Sequence, residues 1–120
     1  MVKKELSSDK LAKLIARFAS DIKAQKIVIL DMRKVVNFCD YFVLCSGTSA
    51  RQVKAIAQGI EDGLAQHGVQ TSFKHGLKEG RWALLDFGTV VAHVFESDSR
   101  DFYGLEYLWK EADRIKFVEE

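Results

Sequence analysis

Trp82-Ala83-Leu84-Leu85-Asp86-Phe87-Gly88-Thr89-Val90-Val91-Ala92-His93-Val94-Phe95 is the stretch from which the rest of the chain can be placed. Two apolar-rich runs flank Gly88-Thr89, and a glycine first in a two-residue loop suits the type II′ turn of a β-hairpin. With that turn, Phe87 faces Val90 and the register of both strands is fixed. One side then carries Phe87 with Val90, Leu85 with Ala92 and Ala83 with Val94, all apolar and suited to a core. The other side carries Asp86 with Val91, Leu84 with His93 and Trp82 with Phe95. A core seldom combines a carboxylate, an imidazole and two large rings. Trp and Phe together can bury on the order of 300 to 500 Å², and an uncovered patch of that size marks a contact site for another macromolecule. Arg81, Asp86 and His93 would form its polar rim. The competing expectation is that a helix lies over this side.

Outward from the hairpin, helical and strand signals alternate. Ser8 can cap a helix in which Leu11, Leu14, Ile15, Phe18, Ala19 and Ile22 recur at helical spacing. Ile27 to Asp31 and Tyr41 to Ser46 are dense apolar runs of the kind found in strands buried on both faces. Gly47-Thr48-Ser49 opens a second helix whose buried stripe is Val53, Ile56, Ala57, Ile60 and Leu64. Val69 to Phe73 reads as the strand that returns parallel to the one before that helix, by a right-handed crossover. After the hairpin, Asp98 or Ser99 can cap a helix carrying Phe102, Leu105, Leu108 and Trp109, and Ile115 to Glu120 reads as a loose tail. The order α-β-β-α-β-β-β-α mixes both pairing senses, so the expected fold is α/β, a mixed sheet of about five strands packed with helices.

Composition narrows the function. At 120 residues the chain reads as a single domain over 1–120, with room for one hydrophobic core and none for a separate catalytic module. Eighteen Lys and Arg against seventeen Asp and Glu leave a net charge of +1, which is not the footprint of a protein that binds by neutralising phosphates. No direct nucleic-acid contact is therefore required. The longest apolar runs are too short to span a bilayer and no signal-peptide core follows the charged start, so a cytoplasmic protein that needs no membrane is expected. In that compartment Cys39 and Cys45 are reduced thiols.

Three kinds of site chemistry can be weighed. Ser46-Gly47-Thr48-Ser49 lies between strand and helix, where backbone N–H groups can receive an anion, so a nucleotidyl- or phosphoryl-transfer enzyme using Gly47-Thr48-Ser49 is the alternative function. It lacks the lysine and spacing of a P-loop, and the adjacent carboxylates Glu61-Asp62 beyond it point to different sides of a helix. A helix start capped by Thr48 or Ser49 is the plainer reading. Among Cys39, Cys45, His67, His75 and His93 no pair has metal-ligand spacing, so no metal is expected. Cys45 sits in an apolar strand where burial makes it core filler and not a nucleophile.

Five blocks then form a pattern: Asp40-Tyr41-Phe42-Val43-Leu44-Cys45-Ser46-Gly47-Thr48-Ser49; Arg51-Gln52-Val53-Lys54-Ala55-Ile56; Gly80-Arg81-Trp82-Ala83-Leu84-Leu85-Asp86-Phe87-Gly88; His93-Val94-Phe95; and Arg100-Asp101-Phe102-Tyr103 with Leu105-Glu106 and Leu108-Trp109. In this order they resemble the ribosomal silencing factor family, also called Iojap-like or RsfS, over roughly residues 8 to 110. The resemblance implies a nucleotidyltransferase-like α/β fold without catalytic carboxylates, hence no enzyme, no catalytic residue and no cofactor. It also implies a partner: the large ribosomal subunit, bound through ribosomal protein fourteen on the face that joins the small subunit. Subunit joining would be blocked and translation lowered when nutrients are scarce. Trp82, Leu84 and Asp86 are the expected contact, with His93 and Phe95 beside them. The chain departs from the family pattern at Thr71-Ser72-Phe73-Lys74-His75-Gly76, where a proline and a Glu-Gly are usual. Pairing of the same face in a homodimer is possible and would compete with the ribosome.

Overall fold

The computed structural model describes residues 6–97, 104, 110–115 and 117. Its elements are α1 (Ser8–Asp21), β1 (Gln25–Asp31), β2 (Tyr41–Gly47), α2 (Ala50–Gln66), β3 (Phe73–His75), β4 (Trp82–Asp86), β5 (Val90–Glu96) and β6 (Asp113–Ile115). They build one six-stranded mixed sheet in the order β3-β4-β5-β2-β1-β6. The pair β2 with β5 is parallel, and the other four pairs are antiparallel. Among the described residues no helix is long and apolar enough to cross a membrane.

The hairpin has the register that its turn dictates. Trp82 faces Phe95, Ala83 Val94, Leu84 His93, Leu85 Ala92 and Asp86 Val91, and the Phe87 N–H donates to the Val90 carbonyl at 2.9 Å. Gly88 has φ +90° while Thr89 is not among the residues of positive φ, as a type II′ turn requires. Its N–H donates to Asp86 Oδ1 at 2.8 Å, which fixes the turn from the side.

Both helices lie on one face. The expected stripe of α2, Val53, Ile56, Ala57, Ile60 and Leu64, is the buried one. It shares a cluster with Leu11, Ile15 and Ala19 of α1 and with Ile29, Val43, Cys45, Ala83, Leu85, Ala92 and Val94 of the sheet. Each aliphatic side chain taken out of water there contributes about 1.5–3 kcal/mol. The helix α1 is preceded by Ser7 as N-cap, one residue before the expected Ser8, and the Ser7 side chain bonds to the Asp9 carboxylate instead of capping a backbone N–H.

Three differences from the sequence reading concern the sheet. It has six strands instead of five, because Asp113–Ile115 pairs with β1, so a strand ends at Ile115 where the tail was expected to start. The rest of that tail lies outside the described residues apart from Phe117, as do Phe102, Leu105, Leu108 and Trp109 of the expected third helix. The strand read at Val69 to Phe73 is displaced to Phe73–His75. Gly68 and Val69 N–H groups bond back to the Ala65 and Leu64 carbonyls, so these residues close α2 instead of pairing in the sheet. Finally, β3 runs in the same direction as β2 but two strands stand between them. The parallel partner of β2 is β5, and the crossover carries β3 and β4 with it.

Candidate functional site

Strand alternation sends every second residue to the face away from the helices. Two rows across that face can be followed through the pairing: His75, Leu84, His93, Leu44, Val28 and Phe73, Asp86, Val91, Phe42, Leu30. Exposure falls along each row from β3 to β2, and in the first row Val28 of β1 is half-buried again. Phe73 is 56% exposed and Asp86 half-buried, whereas Val91, Phe42 and Leu30 are buried. His75 is exposed and Leu84 half-buried, whereas His93 and Leu44 are buried.

The covered end owes its burial to a loop. Met32, Val35, Val36 and Cys39 pack onto Leu30, Phe42, Leu44, Val91 and Phe95, with Ala112 from beyond the hairpin. The loop is closed by Met32 N–H to the Asp40 carbonyl at 2.8 Å and tied to the hairpin turn by Asp40 N–H to the Thr89 carbonyl at 2.7 Å. At its base Arg33 forks onto Asp31, Nε to Oδ1 at 2.9 Å and Nη2 to Oδ2 at 2.6 Å, which holds the Asp31 carboxyl below its ordinary range. Burial, with Asp40 and Asp86 nearby, pushes the Cys39 thiol up to about 11. Cys39 and Cys45 are both free and belong to opposite faces of the sheet.

The open end holds three of the five expected contact residues. Trp82, Leu84 and Asp86 are each half-buried along β4. His93 and Phe95, expected beside them at the surface, are 4% and 1% exposed. That is a correction: they lie under the site instead of on it, because the loop carrying Met32 and Cys39 covers this part of the face and the Trp82 ring lies against both. Trp82 bridges the two levels. Its ring stacks on Phe95 with centroids 5.3 Å apart, and its Nε1–H donates to His93 Nδ1 at 3.1 Å. Burial drives the His93 imidazole down to about 4, so it is neutral at neutral pH. Asp86 commits one oxygen to the hairpin turn. The entry of β4 is held by Gly76, whose φ is +81° and whose missing side chain makes room for the Trp82 carbonyl.

Two aromatic residues were missed as site residues. Phe73 stands beside Asp86 in the open end, with its ring stacked on that of His75 at 6.3 Å. Phe38, on the covering loop, is 62% exposed and tilts against Phe42 at 6.3 Å. These are the two exposed large hydrophobics among the described residues. The alternation Phe73-Lys74-His75 was the available signal, since it places the lysine on the helix side, where it meets Glu61 at 3.5 Å.

The rival loop at Gly47-Thr48-Ser49 is occupied from within. Thr48 N–H and Oγ1–H both donate to Gln52 Oε1, at 2.6 and 2.8 Å, and Ser49 Oγ accepts from Gln52 N–H at 3.1 Å as the N-cap of α2. Gln52 in turn donates to the Ile22 and Lys23 carbonyls at 3.4 and 3.3 Å. The Thr48 and Gln52 N–H groups that an anion could use are thus taken within the loop, and the Gln52 amide ties it to the residues that follow α1.

Comparisons with known proteins agree with this architecture. The family profile described as "Ribosomal silencing factor during starvation" matches residues 5–120. A relative from Bacillus subtilis named ribosomal silencing factor RsfS is 40% identical over 107 residues, covering 89% of this chain and 91% of the relative. A longer relative named protein Iojap, chloroplastic, from Arabidopsis thaliana is 34% identical over 85% of this chain and 42% of its own length. A crystal structure of a Chromobacterium violaceum protein superposes with a TM-score of 0.85 at 32% identity, covering 96% of this chain and 95% of that one. One from Bacillus halodurans gives 0.80 at 34% identity, over 90% and 98%. On sequence and on fold alike, the chain belongs to the ribosomal silencing factor family, the RsfS or Iojap-like proteins.

Proposed function

We propose that this chain docks on the large ribosomal subunit through ribosomal protein fourteen and sterically blocks the joining of the small subunit, lowering translation under nutrient limitation. No turnover is involved, and the protein acts in the cytoplasm. The observation that carries this reading is the half-buried set Trp82, Leu84 and Asp86 along β4, flanked by the exposed Phe73, on a sheet face whose other half is sealed. Aromatic residues at the centre of a polar rim are what a protein-binding hot spot needs. A standard interface takes about 800 Å² from each partner, which the open half-face and the exposed Phe38 beside it can help to supply. The names of the relatives support the ribosomal destination. The internally bonded Gly47-Thr48-Ser49 loop gives no support to nucleotidyl transfer.

Sucrose-gradient sedimentation of purified subunits tests the proposal. The protein should comigrate with the large subunit and shift joined ribosomes toward free subunits, and Trp82→Ala should abolish both. Subunits that join normally at saturating protein, with none comigrating, would defeat it.

A further inference from the structure

We propose that His93 is a positioning residue for this surface: from beneath the sheet face its Nδ1 accepts the Trp82 indole N–H and so fixes the orientation in which the partner meets that ring. The inference rests on the reading of Trp82 as a contact residue. An indole N–H can only donate, so Nδ1 must be unprotonated and the ring's proton sits on Nε2. That Nε2 is buried and has no hydrogen-bond partner among the described residues. A buried donor without an acceptor costs stability. Around it are Phe42 at 4.7 Å and Phe95 at 6.2 Å, rings that would accommodate an aliphatic side chain equally well. Packing therefore gives no reason for an imidazole at this position, whereas a leucine could not accept from Trp82. Stacking on Phe95 sets the plane of the indole. The hydrogen bond at 3.1 Å decides which edge turns inward, and with it which edge remains for the partner.

The test compares His93→Leu, which removes the acceptor and the orphaned donor together, with His93→Asn, whose Oδ1 can stand near the place of Nδ1. The readouts are the ¹H–¹⁵N signal of the Trp82 indole in the free protein, assigned with Trp82→Phe, the melting temperature, and affinity for purified large ribosomal subunits. His93→Leu should move the indole signal and speed its exchange with solvent, melt no lower than the parent protein, and bind about tenfold more weakly. His93→Asn should restore the signal and bring affinity back to within about threefold. If His93→Leu leaves signal and affinity unchanged, or if it loses affinity only together with melting temperature and His93→Asn restores neither, the proposal is overturned. Failure of the parent protein to bind large subunits, or full binding by Trp82→Ala, would instead sink the contact reading, and the indole signal would still decide what His93 does.

Discussion

The two faces of this sheet are built from the same strands and obey different rules. Toward the helices, Ala83, Leu85, Ala92 and Val94 are all at or below 1% exposure, and the residues there are apolar and graded in size. Away from them, burial is a gradient: sealed over β2 and β5 by the loop that carries Met32 and Cys39, open along β4 and β3. The first face holds the domain together. The second carries a carboxylate tied to a turn, a neutral buried imidazole and a half-exposed indole, none of which packing alone would select. On the proposed function its open half serves recognition, so stability and binding should separate cleanly between the faces.

The largest blow should come on the helix-covered face. Leu85→Ala should cost about 2–5 kcal/mol in chemical denaturation, because its helix-covered site cannot collapse onto the cavity. Next comes pH. The His93 imidazole titrates near 4 when folded and near 6.5 when unfolded, so between these values the unfolded chain binds more protons. Stability should thus be fully present above pH 6.5 and fall by about 3 kcal/mol as pH drops toward 4, with a slope that His93→Leu removes when the two denaturation series are subtracted. Trp82→Ala should be milder, about 1–2 kcal/mol, since the ring is only half-buried. A loss matching Leu85→Ala would erase the distinction between the faces. Smallest of all, Phe73→Ser should leave stability within about 0.5 kcal/mol while weakening comigration with the large subunit. Unaltered comigration would draw the edge of the contact inside β4.

Legibility in the sequence followed the range of the physics involved. Gly88-Thr89 is a local signal, and it set the register of ten strand residues correctly. The stripe of α2 was readable because helical periodicity is local as well. Strand neighbours were not: the β2–β5 pairing joins segments with a helix and two strands between them, and nothing in either run names its partner. The cover over the second face escaped for the same reason. Met32, Val35, Val36 and Cys39 stand at i, i+3, i+4 and i+7, the spacing of one helical face, but over barely two turns and in a segment that forms no helix, so the lid was not read and the burial of His93 and Phe95 went with it. Of the five expected contact residues, the strand holding Trp82, Leu84 and Asp86 was placed by alternation alone, and its depth in the sheet was what alternation could not supply.

The parallel ladder from Tyr41–Val90 to Gly47–Glu96 is the spine of the sheet, and both of its strands are interior. On a nascent chain this has a kinetic meaning. β1 and β2 can pair early as neighbours, and α2 can form on its own, but the central seam must wait until Glu96 has been synthesised. Closing so long a loop makes the search slow relative to the local steps. Until then β2 presents an unpaired apolar edge, so this member of the ribosomal silencing factor family would itself depend for folding on translation having passed Glu96.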